Sequence, residues 1–122
     1  MSSLAVILLA GDSEEGLLPM RRFFQKLYSQ NPIFATKGGE EAIAYLSGEG
    51  KYANREEYPM PDVMLVNLKK PPVDGFALVE WIRQQPGLGA IEVIVLTQAE
   101  KLSDFTGVAL AEELNRADFS NA

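Results

Sequence analysis

The feature that most constrains the fold of this chain is an alternation of short apolar runs with longer stretches of helical periodicity. The apolar runs are rich in aliphatic and aromatic residues and occupy residues 4–10, 33–36, 62–67 and 91–96. Between them, apolar residues recur every three or four positions, which is typical of helices with one buried face. Strands and helices in this order form βαβ units, whose helices cover both faces of a parallel sheet. The sequence therefore predicts an α/β domain with a doubly wound parallel sheet.

The first predicted helix follows the first strand directly and runs to about Gln30. Asp12 or Ser13 is expected to cap its amino end, because either side chain can accept hydrogen bonds from the free amides of a first turn. Proline inside a helix removes a hydrogen bond, so the regular part is expected to begin near Leu18, with Pro19 in its first turn.

The later elements are predicted from the same signals. The second helix follows Gly38 and ends at Gly48, and the third runs from about Gly75 to Gln85. A fourth helix is expected over residues 103–114. The buried stripe of the third helix is predicted to consist of Phe76, Val79 and Ile82, with Trp81 partly covered beside it.

The segment between the second helix and the third strand, residues 48–60, is polar and lacks a period. Such a segment is expected to be an exposed loop, although its length is unusual for a small domain. We predict that its prominent side chains are solvated rather than engaged in binding; they are Tyr52, Tyr58, Glu56 and Glu57.

The composition limits the classes of function. With 122 residues, of which 47% are hydrophobic and 23% charged, one domain over residues 1–122 is expected. The chain has no histidine and no cysteine, which excludes imidazole catalysis, thiolate nucleophiles, disulfides and the usual zinc sites. A net charge of −6 opposes binding to nucleic acid or anionic lipid. The first apolar run is shorter than the roughly 20 residues that span a bilayer. We therefore expect a cytoplasmic protein that binds neither nucleic acid nor membrane.

Polar residues follow the predicted strands at the edge of the sheet where ligands bind in open α/β folds. Gly11 and Asp12 follow the first strand, Asn67 ends the third, and Thr97 ends the fourth. Lys69 and Lys70 follow Asn67 and are expected to be solvated, with the alternative that the Lys69 ammonium fills the place of a metal ion.

These residues resemble the receiver domain of two-component response regulators, the CheY-like type with a flavodoxin-like fold and strand order 2-1-3-4-5. The resemblance covers essentially the whole chain. It depends on the acidic turn after the first strand, on Thr97, and on a D-x-x-x-P-x-x-D-G spacing that is matched by Asn67, Pro71, Asp74 and Gly75. The YLSGEGKYA segment and the long loop resemble the stand-alone receivers that partner phytochrome-type histidine kinases.

The resemblance implies a phosphotransfer mechanism. In the family, an aspartate at the end of the third strand accepts a phosphoryl group, Mg²⁺ is held by that aspartate and the first-strand acids, and a lysine on the fifth strand pairs with the phosphoryl group. By the same resemblance, Thr97 and Phe119 correspond to the switch residues, while Asp74 and Gly75 shape a turn. Phe119 also marks a short fifth strand.

This chain departs from the family at each charged position. The acceptor position holds Asn67, Gly11 stands where a second carboxylate would accompany Asp12, and Ala122 stands in place of the lysine. The fifth helix is expected to be missing, because the sequence stops after the fifth strand. An amide is not a nucleophile and a lone carboxylate holds a hard cation poorly, so we expect no cofactor and weak or absent Mg²⁺ binding.

The sequence therefore predicts a pseudo-receiver, a non-enzymatic module of two-component signalling that acts by binding a histidine kinase or another signalling protein, with homodimer formation left open. The alternative is a flavodoxin-type ligand-binding or enzymatic domain. The carboxylates of the turn after Gly11 argue against it, because they repel phosphate. Asp62 and Asp74 are the remaining candidate phosphate acceptors, but they are predicted at the far end of the sheet and at a helix cap.

Overall fold

The structure, a computed structural model, describes residues 5–28 and 30–95. Within these ranges, four parallel strands form one sheet: β1 (Ile7–Gly11), β2 (Ile33–Lys37), β3 (Val63–Asn67) and β4 (Glu92–Val95). Their order is β2-β1-β3-β4. This order confirms the predicted doubly wound sheet. The predicted fifth strand with Phe119, the helix over residues 103–114, Thr97 and Ala122 lie outside the described residues.

Three α-helices connect the strands: α1 (Glu14–Leu27), α2 (Gly39–Ser47) and α3 (Gly75–Gln84). The helix α1 covers one face of the sheet, where its apolar residues pack against alternate residues of β1; the contacting residues are Leu17, Met20, Phe24, Ile7 and Leu9. The helices α2 and α3 cover the other face, through Tyr45, Leu46, Leu78, Ile82, Leu8 and Ala10. Burial of each large apolar side chain contributes about 1.5–3 kcal/mol to stability, so the packing of both helical layers stabilises the sheet.

The helix α1 begins earlier than predicted. Ser13 is its N-cap, with its hydroxyl oxygen accepting the amide of Gly16 at 3.1 Å, and Pro19 lies inside the helix. The expectation that the regular part begins near Leu18 is therefore wrong. Proline at position 19 removes the amide that would bond the carbonyl of Glu15, but both residues are exposed, so water can satisfy that carbonyl.

The buried stripe of α3 is rotated relative to the prediction. Phe76 is 79% exposed, whereas Leu78 and Ile82 are buried. Val79 is half-buried, and Trp81 is partly covered, as expected. The buried stripe therefore consists of Gly75, Leu78 and Ile82. Because Gly75 has no side chain, the helix can start close against the sheet.

The segment predicted to be an exposed loop is in part folded against the domain. Residues Gly50–Ala53 form a 3₁₀ turn, in which Tyr52 is buried, and Tyr58 is half-buried. The prediction of solvated tyrosines is therefore wrong, although Glu56 and Glu57 are exposed. The segment has no helical or strand period of its own, and contacts with α2 hold it against the domain.

Candidate functional site at the carboxyl ends of the strands

The structure brings together the strand ends that the sequence singles out. In the parallel register, Gly11 at the end of β1 aligns with Asn67 at the end of β3 and with Lys37 at the end of β2. Asp12 follows Gly11 directly, and the loop after Asn67 passes beside it. The carboxyl edge of the sheet therefore carries Asp12 and Asn67 as neighbours.

The Asp12 carboxylate joins β1 to the loop that follows β3. Its Oδ2 accepts the backbone amide of Lys69 at 2.8 Å, and its Oδ1 accepts the amide of Lys70 at 3.4 Å. Since Ser13 supplies the cap of α1, the Asp12 side chain is not used for that purpose. The side chains of Lys69 and Lys70 are exposed, and their contact with Asp12 is made through the main chain. The placement of the Lys69 ammonium in a metal position stays a prediction.

Asn67 ends β3, where the family resemblance implies a phosphate acceptor. Its side chain is half-buried, and its Oδ1 is buried without a hydrogen-bond partner among the described residues. An amide oxygen buried in this way costs about 1–3 kcal/mol relative to one that is paired. A primary amide also has no nucleophilic oxygen that could form an acyl phosphate.

The loop between β3 and α3 is fixed by short-range contacts. Asp74 caps α3 by accepting the amide of Ala77 at 2.9 Å, and the amide of Gly75 donates to the carbonyl of Leu68 at 2.9 Å. A Cβ on Gly75 would lie 3.1 Å from Val95 Cγ1, so a larger residue would push against β4. The Pro71–Pro72 peptide bond in this loop is cis.

The β3–α3 loop also makes a close contact with the start of α2. A Cβ on Gly39, the first residue of α2, would lie closer than 3.0 Å to the carbonyl oxygen of Val73. Glycine is therefore required where α2 meets the β3–α3 loop, because any side chain would displace that loop.

Both alternative acceptors accept main-chain hydrogen bonds. Asp62 precedes β3, at the opposite end of the strand from Asn67, and its carboxylate accepts the amide of Val6 at 2.8 Å. Asp74 holds the cap of α3. Both carboxylates serve the fold through backbone hydrogen bonds.

The donor set at this edge does not fit a divalent cation. Within residues 5–28 and 30–95, no three acidic side chains are grouped closely enough to hold a metal ion. Asp12 supplies one carboxylate, both of whose oxygens accept amides, and Asn67 supplies a neutral group. At a separation of 4 Å and an effective dielectric constant near 20, each unit charge pair contributes about 4 kcal/mol. Mg²⁺ prefers several oxygen ligands with negative charge, so weak Mg²⁺ binding stays a prediction for this edge.

The structure also contains an aromatic cluster that the sequence does not reveal. The ring centroids of Tyr45 and Tyr52 are 4.9 Å apart, and those of Tyr52 and Tyr58 are 5.0 Å apart. Burial raises the pKa of Tyr45 to about 12, and burial together with the Glu41 hydrogen bond raises the pKa of Tyr52 to about 12. The spacing of these three tyrosines follows neither a helical nor a strand period. Only the number of tyrosines in this part of the chain suggested that they form a cluster.

Arg55 closes this cluster over the end of α2. Its guanidinium donates to the carbonyls of Tyr45 at 2.8 Å, Leu46 at 3.1 Å and Tyr58 at 3.2 Å. Two of these carbonyls belong to the last turn of α2, where main-chain acceptors lack helical partners. The arginine therefore acts as a side-chain cap for α2 and ties the following segment to it.

Comparison with known proteins places the chain among response regulators. No family model matches it. It is 30% identical over 99 residues to response regulator Rcp1 of Synechocystis sp., covering 81% of this chain and 65% of that protein. It is 29% identical over 102 residues to the probable methanogenesis regulatory protein FilR2 of Methanothrix harundinacea, covering 81% and 61%. The chain thus spans less than two thirds of the length of either relative.

Solved structures agree with these relatives. The bacteriophytochrome response regulator AtBRR matches with a TM-score of 0.69 and 28% identity, covering 96% of this chain and 76% of that one. The phosphorylated cyanobacterial phytochrome response regulator RcpA matches with 0.68 and 25%, covering 93% and 75%. The Mn²⁺-bound form of Rcp1 matches with 0.61 and 30%, covering 89% and 75%. Within the described residues, no helix is both long and apolar enough to cross a membrane.

Proposed function

Because this chain belongs to the receiver family of two-component response regulators, we propose that it acts in two-component signalling as a binding module that is not phosphorylated at position 67. The proposal rests on two neighbouring residues, Asn67 at the end of β3 and Asp12 directly after β1. The first has an amide in place of the attacking carboxylate, and the second has both carboxylate oxygens occupied by main-chain amides.

The charge at this edge supports the same proposal. A phosphoryl group on the end of β3 would bring its negative charge beside Asp12, and repulsion between them would need a cation to offset it. The donor set does not fit a divalent ion, and Ala122 stands where the family carries its lysine. Phosphorylation at position 67 would therefore lack its nucleophile and the lysine that the family resemblance implies.

The proposed partner is a histidine kinase or another signalling protein. Two of the structural relatives are response regulators of phytochromes or bacteriophytochromes by name, which supports a phytochrome-type kinase. In this proposal the protein is a cytoplasmic, non-enzymatic binding module, and homodimer formation is a further possibility that sedimentation would test. The flavodoxin-type alternative would require a visible flavin band in the purified protein.

Intact-protein mass spectrometry after incubation with acetyl phosphate and Mg²⁺ tests the loss of phosphorylation. We expect no added phosphoryl mass on the wild-type chain, while a phosphorylatable receiver treated in parallel gains one. Gly11→Asp and Asn67→Asp, combined with Ala122→Lys, restore the three missing groups, and partial recovery of phosphorylation is expected for the triple variant. A stable phosphoryl adduct on the wild-type chain, mapped to any residue at this edge, would refute the proposal.

A further inference from the structure

A groove of about 370 Å³ runs along the outer edge of β2. One wall comes from α1, through Leu17 and Arg21, and the other from α2 and the segment after it, through Tyr45, Tyr52 and Tyr58. Because α1 and α2 lie on opposite faces of the sheet, a groove that both helices line must pass around the edge of β2. Phe34, Ala35 and Lys37 of β2 form its floor.

The backbone of β2 has hydrogen-bonding groups directed into this groove. The carbonyl of Pro32 accepts the amide of Ile7 at 2.9 Å, and the amide of Gly38 donates to Gly11 at 2.7 Å, so both residues face β1. Main-chain groups alternate in direction along a strand, and Ile33 and Ala35 therefore direct theirs away from β1. In the order β2-β1-β3-β4 of the described strands, β2 has no neighbour on that side.

Three cations and two acids line the groove. Arg21, Lys37 and Lys51 line it, in a chain whose net charge is −6. The Lys51 ammonium lies 5.2 Å from the ring centroid of Tyr52 and 5.8 Å from that of Tyr58.

Glu41, one of the two acids of the lining, keeps its negative charge and accepts a hydrogen bond at each carboxylate oxygen. One accepts the main-chain amide of Lys37, and the other accepts the hydroxyl of Tyr52 at 3.0 Å. Glu14, in the exposed first turn of α1, is the other acid of the lining. The lining therefore carries three cations and two carboxylates, a net charge of +1 in a chain whose net charge is −6, and this local excess of positive charge favours an acidic occupant. A second copy of the same edge would bring a like net charge of +1 against it, whereas an acidic peptide brings the opposite charge, so charge complementarity favours the peptide over a β2-to-β2 dimer.

We propose that the outer edge of β2 binds an extended acidic peptide segment of a partner protein, which adds a strand beside β2. Main-chain hydrogen bonds to Ile33 and Ala35 provide affinity, and alternate side chains of the peptide reach the tyrosine wall and the α1 wall. Carboxylates of the peptide pair with the cations of the groove. The hydrogen-bonding groups of this surface belong to Ile33 and Ala35 within β2, whereas Lys37 at one end of the groove adjoins the carboxyl edge that carries Asp12 and Asn67.

Titration with a synthetic six-residue peptide of alternating glutamate and valine tests the proposal, with a lysine and valine peptide as the matched control. We expect the acidic peptide to bind at least about tenfold more tightly in calorimetry, since each charge pair contributes about 0.2–1 kcal/mol and several act together. In amide NMR spectra, the largest shifts are expected at Ile33 and Ala35. Equal affinity of the two peptides, shifts centred elsewhere, or no binding at millimolar concentration would each overturn the proposal.

Charge-reversal variants distinguish binding at the β2 edge from a general effect of the net charge of the protein. Lys51→Glu is expected to weaken binding of the acidic peptide at least about threefold, because it reverses one charge of the groove. Lys26→Glu changes the net charge equally at an exposed position of α1 that does not line the groove, and it should leave the affinity unchanged. Ala35→Pro removes an outward amide and should abolish binding if the variant folds. Equal weakening by the two charge reversals, or self-association through β2 that the acidic peptide does not reverse, would contradict the assignment.

Discussion

The Asp12 carboxylate and the amide of Lys69, 57 residues apart in sequence, are joined by a hydrogen bond of 2.8 Å. This bond connects the end of β1 to the loop after β3. In the mechanism that the family resemblance implies, a magnesium ion holds these two strand ends together. Here one carboxylate and two main-chain amides make a direct connection between the same two segments.

Asp12→Ala is expected to lower the free energy of unfolding by about 1 kcal/mol. Hydrogen bonds to charged groups contribute about 1.5–3 kcal/mol, and exposure to water reduces that contribution here. Asp12→Asn should cost about half as much, because it keeps one acceptor oxygen. Urea unfolding provides the measurement, with Glu80→Gln on the exposed face of α3 as a matched neutralisation. If EDTA lowers the stability of the wild-type protein but not of Asp12→Ala, the connection depends on a metal after all.

Gly11→Ala is expected to destabilise the protein by about 1–2 kcal/mol through overpacking. A Cβ at this position would lie 3.0 Å from Cδ2 of the buried Leu17. Leu17→Ala removes both side-chain atoms that this Cβ would approach, Cδ2 at 3.0 Å and Cγ at 3.1 Å, so the double variant should lose less stability than the sum of the two single variants. A double-mutant cycle in urea measures this coupling. Additive losses would show that Leu17 does not restrict position 11, and that Gly11→Asp can be introduced freely.

Arg55→Ala is expected to lower the free energy of unfolding by about 2 kcal/mol, because three carbonyls lose a charged donor. Arg55→Lys should recover less than half of this loss, since an ammonium lacks the planar geometry that reaches several carbonyls together. The measurement is urea unfolding followed by circular dichroism. Arg83→Ala on the exposed side of α3 is the control and should change stability by less than about 0.5 kcal/mol. Equal effects of Arg55→Ala and Arg83→Ala would contradict the capping role.

The tyrosine cluster is expected to make the protein lose stability between pH 10 and 12. Burial raises the pKa of Tyr45 and Tyr52 from 10.0 to about 12 in the folded protein. The neutral phenols therefore contribute stability that is fully present below pH 10 and is lost as the pH rises toward 12, because the unfolded chain releases these protons first.

Phenolate absorbance in native and urea-unfolded protein measures this difference. Tyr52→Phe keeps the ring but removes one of the two raised pKa values, so its stability should decline less steeply over the same pH range. Its stability near neutral pH should also be lower, since the hydrogen bond to Glu41 is lost. A native titration in which all tyrosines ionise near pH 10 would contradict this account.

The strands and the start of α3 were predictable because their signals are local. Each described strand lies within two or three residues of its apolar run, and Asp74 and Gly75 mark the start of α3 as expected. The buried stripe of α3 was not predictable in the same way. The set Phe76, Val79 and Ile82 and the set 75, 78 and 82 are both apolar, and only packing against the sheet selects between them.

At the candidate site, the sequence identifies which side chains meet but not what they contact. The position of Asn67 beside Gly11 follows from the parallel strand order. The partners of Asp12 are main-chain amides, which any residue supplies, so no residue type in the sequence indicates them. The contacts of Arg55 with α2 were missed for the same reason, since its acceptors are carbonyl groups.

The close approach of Gly39 to Val73 has a consequence for recognition. The helix α2 packs against one side of the β3–α3 loop, and Asp12 accepts the amide of Lys69 on the other side. The loop therefore has little freedom to adjust to a binding partner. Ordering one residue of a flexible loop costs about 1–2 kcal/mol, and this entropy is already lost when the domain folds. A protein that docks on this corner therefore meets a rigid template, and shape complementarity rather than mutual rearrangement should determine which proteins it accepts.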